Sequence, residues 1–146
     1  MIVIRPGGGR LYEQRGFRGW IKADRDESDG KQCFSEWTVD AGEDGPPSHL
    51  HREHQEAFFV VDGTLTFQVG EETIEAEAGT FLLIPPGVVH AFFNRTGATA
   101  RCVNAYVPGG IEGFFIEAGE VFADGPPDPA EVARLSAKYD VHFEEA

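Results

Sequence analysis

Residues 48–63 read "SHLHREHQEAFFVVDG" and hold three of the chain's five histidines within six positions. On a strand, side chains at i and i+2 share a face, so His49 and His51 would stand side by side. Two neutral imidazoles so placed can hold an ion such as Zn, Cu, Fe or Ni. Further ligands must come from elsewhere, and His54 and Glu56 are the near candidates. One unbroken strand would put Glu56 on the face opposite His49. A turn over residues 52–54 resets the parity. A strand starting at Glu56 then turns Glu56, Phe58 and Val60 inward and Phe59 and Val61 outward.

The flanking sequence reads as more short strands. Residues 16–23 ("GFRGWIKA") carry two large aromatics. Residues 31–40 alternate, with Cys33, Ser35, Trp37 and Val39 on one face and Phe34, Glu36 and Thr38 on the other. Residues 63–70 are expected to follow 56–62 through a tight turn as its hairpin partner. Residues 71–80 give one short strand and a Gly turn, and residues 81–94 give strand, Pro-Pro-Gly turn, strand. Residues 100–110 give a further strand with a Gly stop. About eight to ten strands with regularly spaced turn signals predict an all-β sandwich or barrel.

The C-terminal part differs. Residues 110–119 suit a short helix or an irregular packing segment. Residues 128–139 predict a helix: Asp128 as N-cap, Pro129 at the first position, and Glu131 closing a capping box. Val132, Leu135 and Tyr139 give it one apolar face, expected to pack on the outside of the β core.

Composition narrows the function classes. The 146 residues are 41% apolar and 25% charged, which fits one domain spanning 1–146. Twelve Phe predict an aromatic core, and eighteen Gly and nine Pro predict many turns. A net charge of −13 argues against nucleic acid and anionic membranes as partners and favours solubility. Cys33 and Cys102 read as buried free thiols, with a disulfide as the alternative; reduced thiols fit a cytoplasmic protein. The opening "MIVIRPGGGR" does not read as a signal peptide, and no apolar run approaches membrane-spanning length.

A more distant histidine, His90, follows "IPPGVV" and starts an aromatic strand. Alone, such a histidine is more often a core or surface residue than a ligand. No HExxH helix and no G-x-S-x-G elbow is present.

Taken together, two segments resemble the motifs of the cupins, small jelly-roll β-barrel proteins. The first motif has HxH, three or four residues, Glu, six residues, Gly; here it is His49, His51, Glu56 and Gly63. The usual leading Gly is displaced, with Gly45 four residues before His49. The second motif has Gly, five residues, P-x-G, two residues, His, three residues, Asn; Gly79, Pro85, Gly87, His90 and Asn94 match every spacing. The resemblance covers roughly residues 41–110. The tail is similar to the C-terminal helix of small bacterial cupins related to quercetin dioxygenases.

This resemblance implies a cupin-type jelly-roll barrel with a short C-terminal helix. It implies that His49, His51, Glu56 and His90 ligate one divalent transition metal (Fe, Mn, Ni, Zn or Cu) inside the barrel near its mouth. Asn94 reads as a turn-stabilising residue and His54 as a surface residue. Three imidazoles and a carboxylate leave a +2 ion with a net charge of about +1 and open positions for water or substrate. Phe34, Trp37, Phe58, Val60 and Phe92 are the expected apolar pocket, although each also suits plain core packing. Glu56 doubles as ligand and general base. The implied function is a metal-dependent dioxygenase acting on a small aromatic or enolic compound. The alternatives are a non-redox isomerase, cyclase or decarboxylase, and a non-catalytic small-molecule binder. A homodimer is expected, with the opening "MIVIRP" as an edge or exchanged strand.

Overall fold

The structure is a computed structural model that describes residues 1–14, 16–121 and 128–144. Eleven strands run in chain order: β1 (Arg10–Gln14), β2 (Phe17–Ala23), β3 (Cys33–Val39), β4 (His49–Leu50), β5 (Gln55–Asp62), β6 (Thr64–Val69), β7 (Glu72–Glu77), β8 (Phe81–Ile84), β9 (His90–Phe93), β10 (Ala100–Val107) and β11 (His142–Phe143). Two helices, α1 (Glu112–Val121) and α2 (Pro129–Tyr139), precede β11.

All pairings are antiparallel. One sheet has the order β1-β2-β3-β10-β5-β8 and the other β11-β4-β9-β6-β7. The expected barrel is therefore two sheets, not a closed cylinder. Among the described residues no strand pairing joins the edges β1 and β8 to β11 and β7. Side chains from both inner faces fill the space between instead.

Period-two burial explains the strands. In β3, Cys33, Ser35, Trp37 and Val39 are buried while Phe34 is exposed. In β5, Glu56, Phe58 and Val60 face in, and Phe59 and Val61 face out. In β10, Ala100, Cys102, Asn104 and Tyr106 face in. Phe58, Val60, Leu65, Phe67, Ile84 and Cys102 meet in the core with Trp37 and Val39. Each fully buried large side chain contributes roughly 1.5–3 kcal/mol against exposure. Cys33 and Cys102 are both free and buried. Burial pushes both thiols up, Cys102 to about 12, so neither is a ready nucleophile.

Two local expectations are corrected. Residues 63–70 are not the hairpin partner of β5. β5 pairs with β10 and β8, whereas β6 pairs with β7 and β9 in the other sheet. Gly63 is instead the corner where the chain changes sheets. Its φ is +73°, and a Cβ there would sit 3.0 Å from Ala100 Cα, so both the turn and the close approach call for glycine. The Glu131 capping box is also absent. Asp128 caps α2 by accepting from Ala130 N at 2.9 Å, while Glu131 bonds Arg134.

Residues 112–121 take the helical form of the two expected for that segment. Helix α2 does not rest on the outside of a sheet. It packs beside α1, with the rings of Tyr139 and Phe114 6.4 Å apart, and Val132 reaches the cavity between the sheets. The opening Met1–Ile4 run stands exposed outside any strand. No helix among the described residues is long and apolar enough to cross a membrane.

Candidate metal centre

Strand register brings the site together. His49 in β4 lies directly across from His90 in β9. His51 follows one residue beyond β4, and Glu56 enters from β5 in the facing sheet. Each of the four offers one ligand atom, and these atoms all lie within 4.8 Å of one another. All four side chains are buried. The structure thus places His49, His51, Glu56 and His90 in a single cluster.

The imidazoles are oriented by backbone. Nδ1 of His49 lies 2.8 Å from Pro47 O, Nδ1 of His51 2.7 Å from Asp140 O, and Nδ1 of His90 2.9 Å from Val88 O. A carbonyl only accepts, so each Nδ1 carries the proton. In the neutral ring, Nε2 is then a bare lone pair. Nε2 of His90 and of His51 stand 2.8 and 3.3 Å from Glu56 Oε2. A lone pair facing a carboxylate oxygen is repulsive unless a cation, a proton or a metal ion, is shared between them. This donor set fits a divalent ion. Fixing Nδ1–H on a carbonyl is also how histidine ligands are commonly held.

The electrostatics agree. Burial alone would push the Glu56 carboxyl up. Bonds and charges from His51 and His90 outweigh it and hold the group well below the ordinary range. Burial lowers His90 too, but its bond to Glu56 prevails and the imidazole is raised. His49 falls to about 4: burial lowers it most, the Glu56 charge opposes that next, and His90 and His51 lower it by less.

Two holders of the site were not expected from the sequence. Asn104 donates to Glu56 Oε1 at 2.7 Å, Ser35 Oγ reaches Asn104 Oδ1 at 3.4 Å, and Trp37 Nε1 donates to Ser35 Oγ at 2.8 Å. Asn104 sits on the inward parity of β10 between Cys102 and Tyr106, and a buried amide there signals a polar partner. The second is Asp140, the left-handed residue that ends α2 (φ 57°, ψ 37°). Its carboxylate accepts from the amides of Arg52, Glu53 and His54 at 2.8, 2.8 and 3.1 Å, and from His54 Nδ1 at 2.8 Å. His54, expected at the surface, is therefore buried against Asp140. Asn94 closes its turn as expected, donating to Val39 O and Ala98 O and accepting from Thr96.

A cavity of about 550 Å³ opens beside the cluster, with His49, His51 and Glu56 on its wall. Trp37, Phe58 and Phe92 line it, as expected, together with Tyr12, Phe115 and Phe143. Phe34 does not: its parity in β3 turns it outward, 39% exposed. Val60 does not either, being sealed in the core beyond Phe58. No Lys or Arg lines the cavity among the described residues.

The cupin domain family matches residues 35–106. Quercetin 2,3-dioxygenase of Bacillus subtilis (strain 168) is 31% identical over 74 residues, 51% of this chain and 22% of that protein. The chain thus spans about a fifth of the length of that relative. Among solved structures, the polyketide cyclase RemF from Streptomyces resistomycificus has a TM-score of 0.65 at 19% identity, covering 73% of this chain and 79% of that one. An RmlC-like cupin from Shewanella frigidimarina NCIMB 400 has a TM-score of 0.63 at 18% identity, covering 75% and 93%. "A predicted oxalate decarboxylase" from Thermotoga maritima has 0.66 at 15% identity, covering 73% and 99%. At these identities the likenesses show the fold. The chain belongs to the cupin superfamily, and its His-His-Glu-His group can hold a metal ion.

Proposed function

We propose that the chain is a metal-dependent oxidoreductase of the dioxygenase type, acting on a small, uncharged aromatic or enolic compound. The observation that carries the reading is the composition of one cavity. Convergent donors stand at one side, aromatic rings cover much of the rest, and no cationic side chain lines it among the described residues. An oxalate or sugar-phosphate anion would lack a cationic side chain to pair with there. A flat neutral ring would stack among Trp37, Phe58, Phe92 and Phe115. The partial match to quercetin 2,3-dioxygenase supports the same choice.

A divalent Fe, Mn, Ni, Zn or Cu ion on His49, His51, Glu56 and His90 would supply Lewis-acid activation of a substrate oxygen and, where redox-active, a path for electrons to O2. Glu56 is ionised at neutral pH, the form required of a ligand and of a proton acceptor. Asn104 pins Oε1, so Oε2, which faces His51 and His90, is the oxygen that would serve as ligand or, in place of that, accept a hydroxyl proton from the substrate. The aromatic wall holds the ring in place and keeps water from it.

A second reading, a cyclase or isomerase using the metal only as a Lewis acid, is favoured by one fact: none of the four donors is specific to oxygen chemistry. Oxygen uptake by the metal-loaded chain, with quercetin as probe substrate, separates them. The dioxygenase reading expects O2 consumed in step with substrate. Turnover without oxygen contradicts it and supports the second reading. Tight binding without turnover makes the chain a carrier.

We further propose a cytoplasmic homodimer. Phe34, Phe59, Phe81 and Leu83 stand exposed on the outer face of the six-stranded sheet, with Phe59 and Phe81 directly paired. Such a face suits a second copy of itself related by a twofold axis. Sedimentation at micromolar concentration should give twice the chain mass, and a monomer alone contradicts this.

A further inference from the structure

We propose that α2 and β11 form a clasp that couples closure of the cavity to the metal centre, with Asp140 as its positioning residue; the proposal rests on the metal reading above. Asp140 touches the centre twice. Its main-chain carbonyl accepts a hydrogen bond from Nδ1–H of His51, which fixes the tautomer that points Nε2 at Glu56. Its carboxylate gathers three successive amides of residues 52–54, the loop between ligands His51 and Glu56. Successive amides turned to one anion form a rigid concave nest. Asp140 thus sets both the ring of His51 and the turn that lets Glu56 share its site.

The same segment reaches a second ligand and the cavity. Phe143 of β11 pairs with His49 of β4. Val132, Val141 and Phe143 line the cavity. Val141 also packs with Ile21, Cys33, Tyr106 and Ile111 in a cluster apart from the main core. Helix α2 is tied to α1 through Glu117, which meets Arg134, Lys138 and Tyr139. Helix α1 contributes Phe114, Phe115 and Ala118 to the cavity wall. Helices α1 and α2 with β11 therefore wall one side of the cavity, and residues 140–143 contact two of the four donors.

Linkage follows. If docking of the clasp favours metal binding, metal binding favours docking of the clasp by the same factor. Removing an outer partner of a metal ligand lowers affinity by roughly 10–100-fold; the Asp140 carboxylate acts one bond further out, through the turn of residues 52–54, so its loss should fall at the lower end, about 10-fold.

The test uses Co(II) with the purified chain, reading affinity by chelator competition, the visible d–d spectrum, and amide hydrogen exchange. Asp140→Gly keeps the left-handed backbone and deletes only the carboxylate. Affinity should fall about 10-fold with an altered spectrum, and D140N, which keeps one acceptor oxygen and tolerates the same backbone, should recover part of it. In the wild type, Co(II) should slow exchange across residues 129–143, and this arm decides alone if the variants do not fold. Wild-type affinity and spectrum in D140G, or exchange of 129–143 indifferent to metal, overturns the clasp and leaves the metal reading standing. A wild-type chain that binds no Co(II) overturns both.

Discussion

Two carboxylates, each ringed by histidines, lie on either side of His51. On the inner side, Glu56 faces Nε2 of His51 and His90, and its only amide partner is the side chain of Asn104. On the outer side, Asp140 meets His54 and His142, but also three backbone amides. The residue types are nearly the same and the chemistry is opposite. Asp140 is surrounded by N–H donors, so its charge is spent on structure and its carboxyl is held below the usual range despite partial burial. Glu56 is surrounded by atoms that need a cation to reconcile them. A carboxylate among histidines marks a metal centre only when lone pairs converge, and backbone amides around it mark a joint.

The largest way to break this contrast is Glu56→Ala. Metal affinity should fall by more than about 100-fold, beyond the range for loss of an outer partner. In the metal-free chain the His90 imidazole should titrate lower by NMR, because the bond and charge that raise it are gone and burial remains. An unmoved His90 would show that Glu56 does not set its proton.

Acid should distinguish the clusters next. The folded His49 titrates at about 4, against an ordinary 6.5. Between those values the unfolded chain binds more protons, so the metal-free chain should lose stability as pH falls from 6.5 to 4. The ceiling from His49 is about 3 kcal/mol, at roughly 1.4 kcal/mol per pKa unit. His90 acts in a different window. Its raised value stabilises the fold fully below 6.5 and loses that contribution only as pH rises above it, so it leaves the slope between 4 and 6.5 to His49 and lowers stability above it. Urea unfolding across this range checks it; stability that is flat or rises on acidification contradicts the assignment.

The smallest effect belongs to the outer cluster. His54→Ala removes one of the donors to Asp140 and leaves the three amides. It should cost about 1 kcal/mol in thermal unfolding and leave metal stoichiometry unchanged. Loss of metal in this variant would make His54 part of the centre.

The inner cluster was legible in the sequence because strand parity and motif spacing carry it. His49, His51, Glu56 and His90 lie within 42 positions of chain; period two sets His49 beside His51, and only the spacing of the two motifs together brings in His90. The same parity correctly turned Phe58 inward and Phe59 outward, and it should have turned Phe34 outward, since Phe34 alternates with the buried Cys33 and Ser35. The outer cluster was not legible. Asp140 binds a loop 86 to 88 positions earlier, and no periodicity reports a contact that long. One signal was present: an acidic residue at a helix C-terminus opposes the helix dipole, so Asp140 needed donors from elsewhere. The tight turn expected between residues 62 and 63 misled for a related reason. Two apolar runs meeting at a glycine read as a hairpin, but here Gly63 serves a corner between sheets pressed against Ala100.

The proposed metal centre is built by His49, His51, Glu56 and His90 together. Metal analysis of the purified wild type beside the double variant H49A/H90A tests it most directly. One divalent transition-metal ion per chain is expected in the wild type and none in the folded double variant. A wild type that carries no metal and takes up none when offered, or a double variant that keeps its full complement, would contradict it.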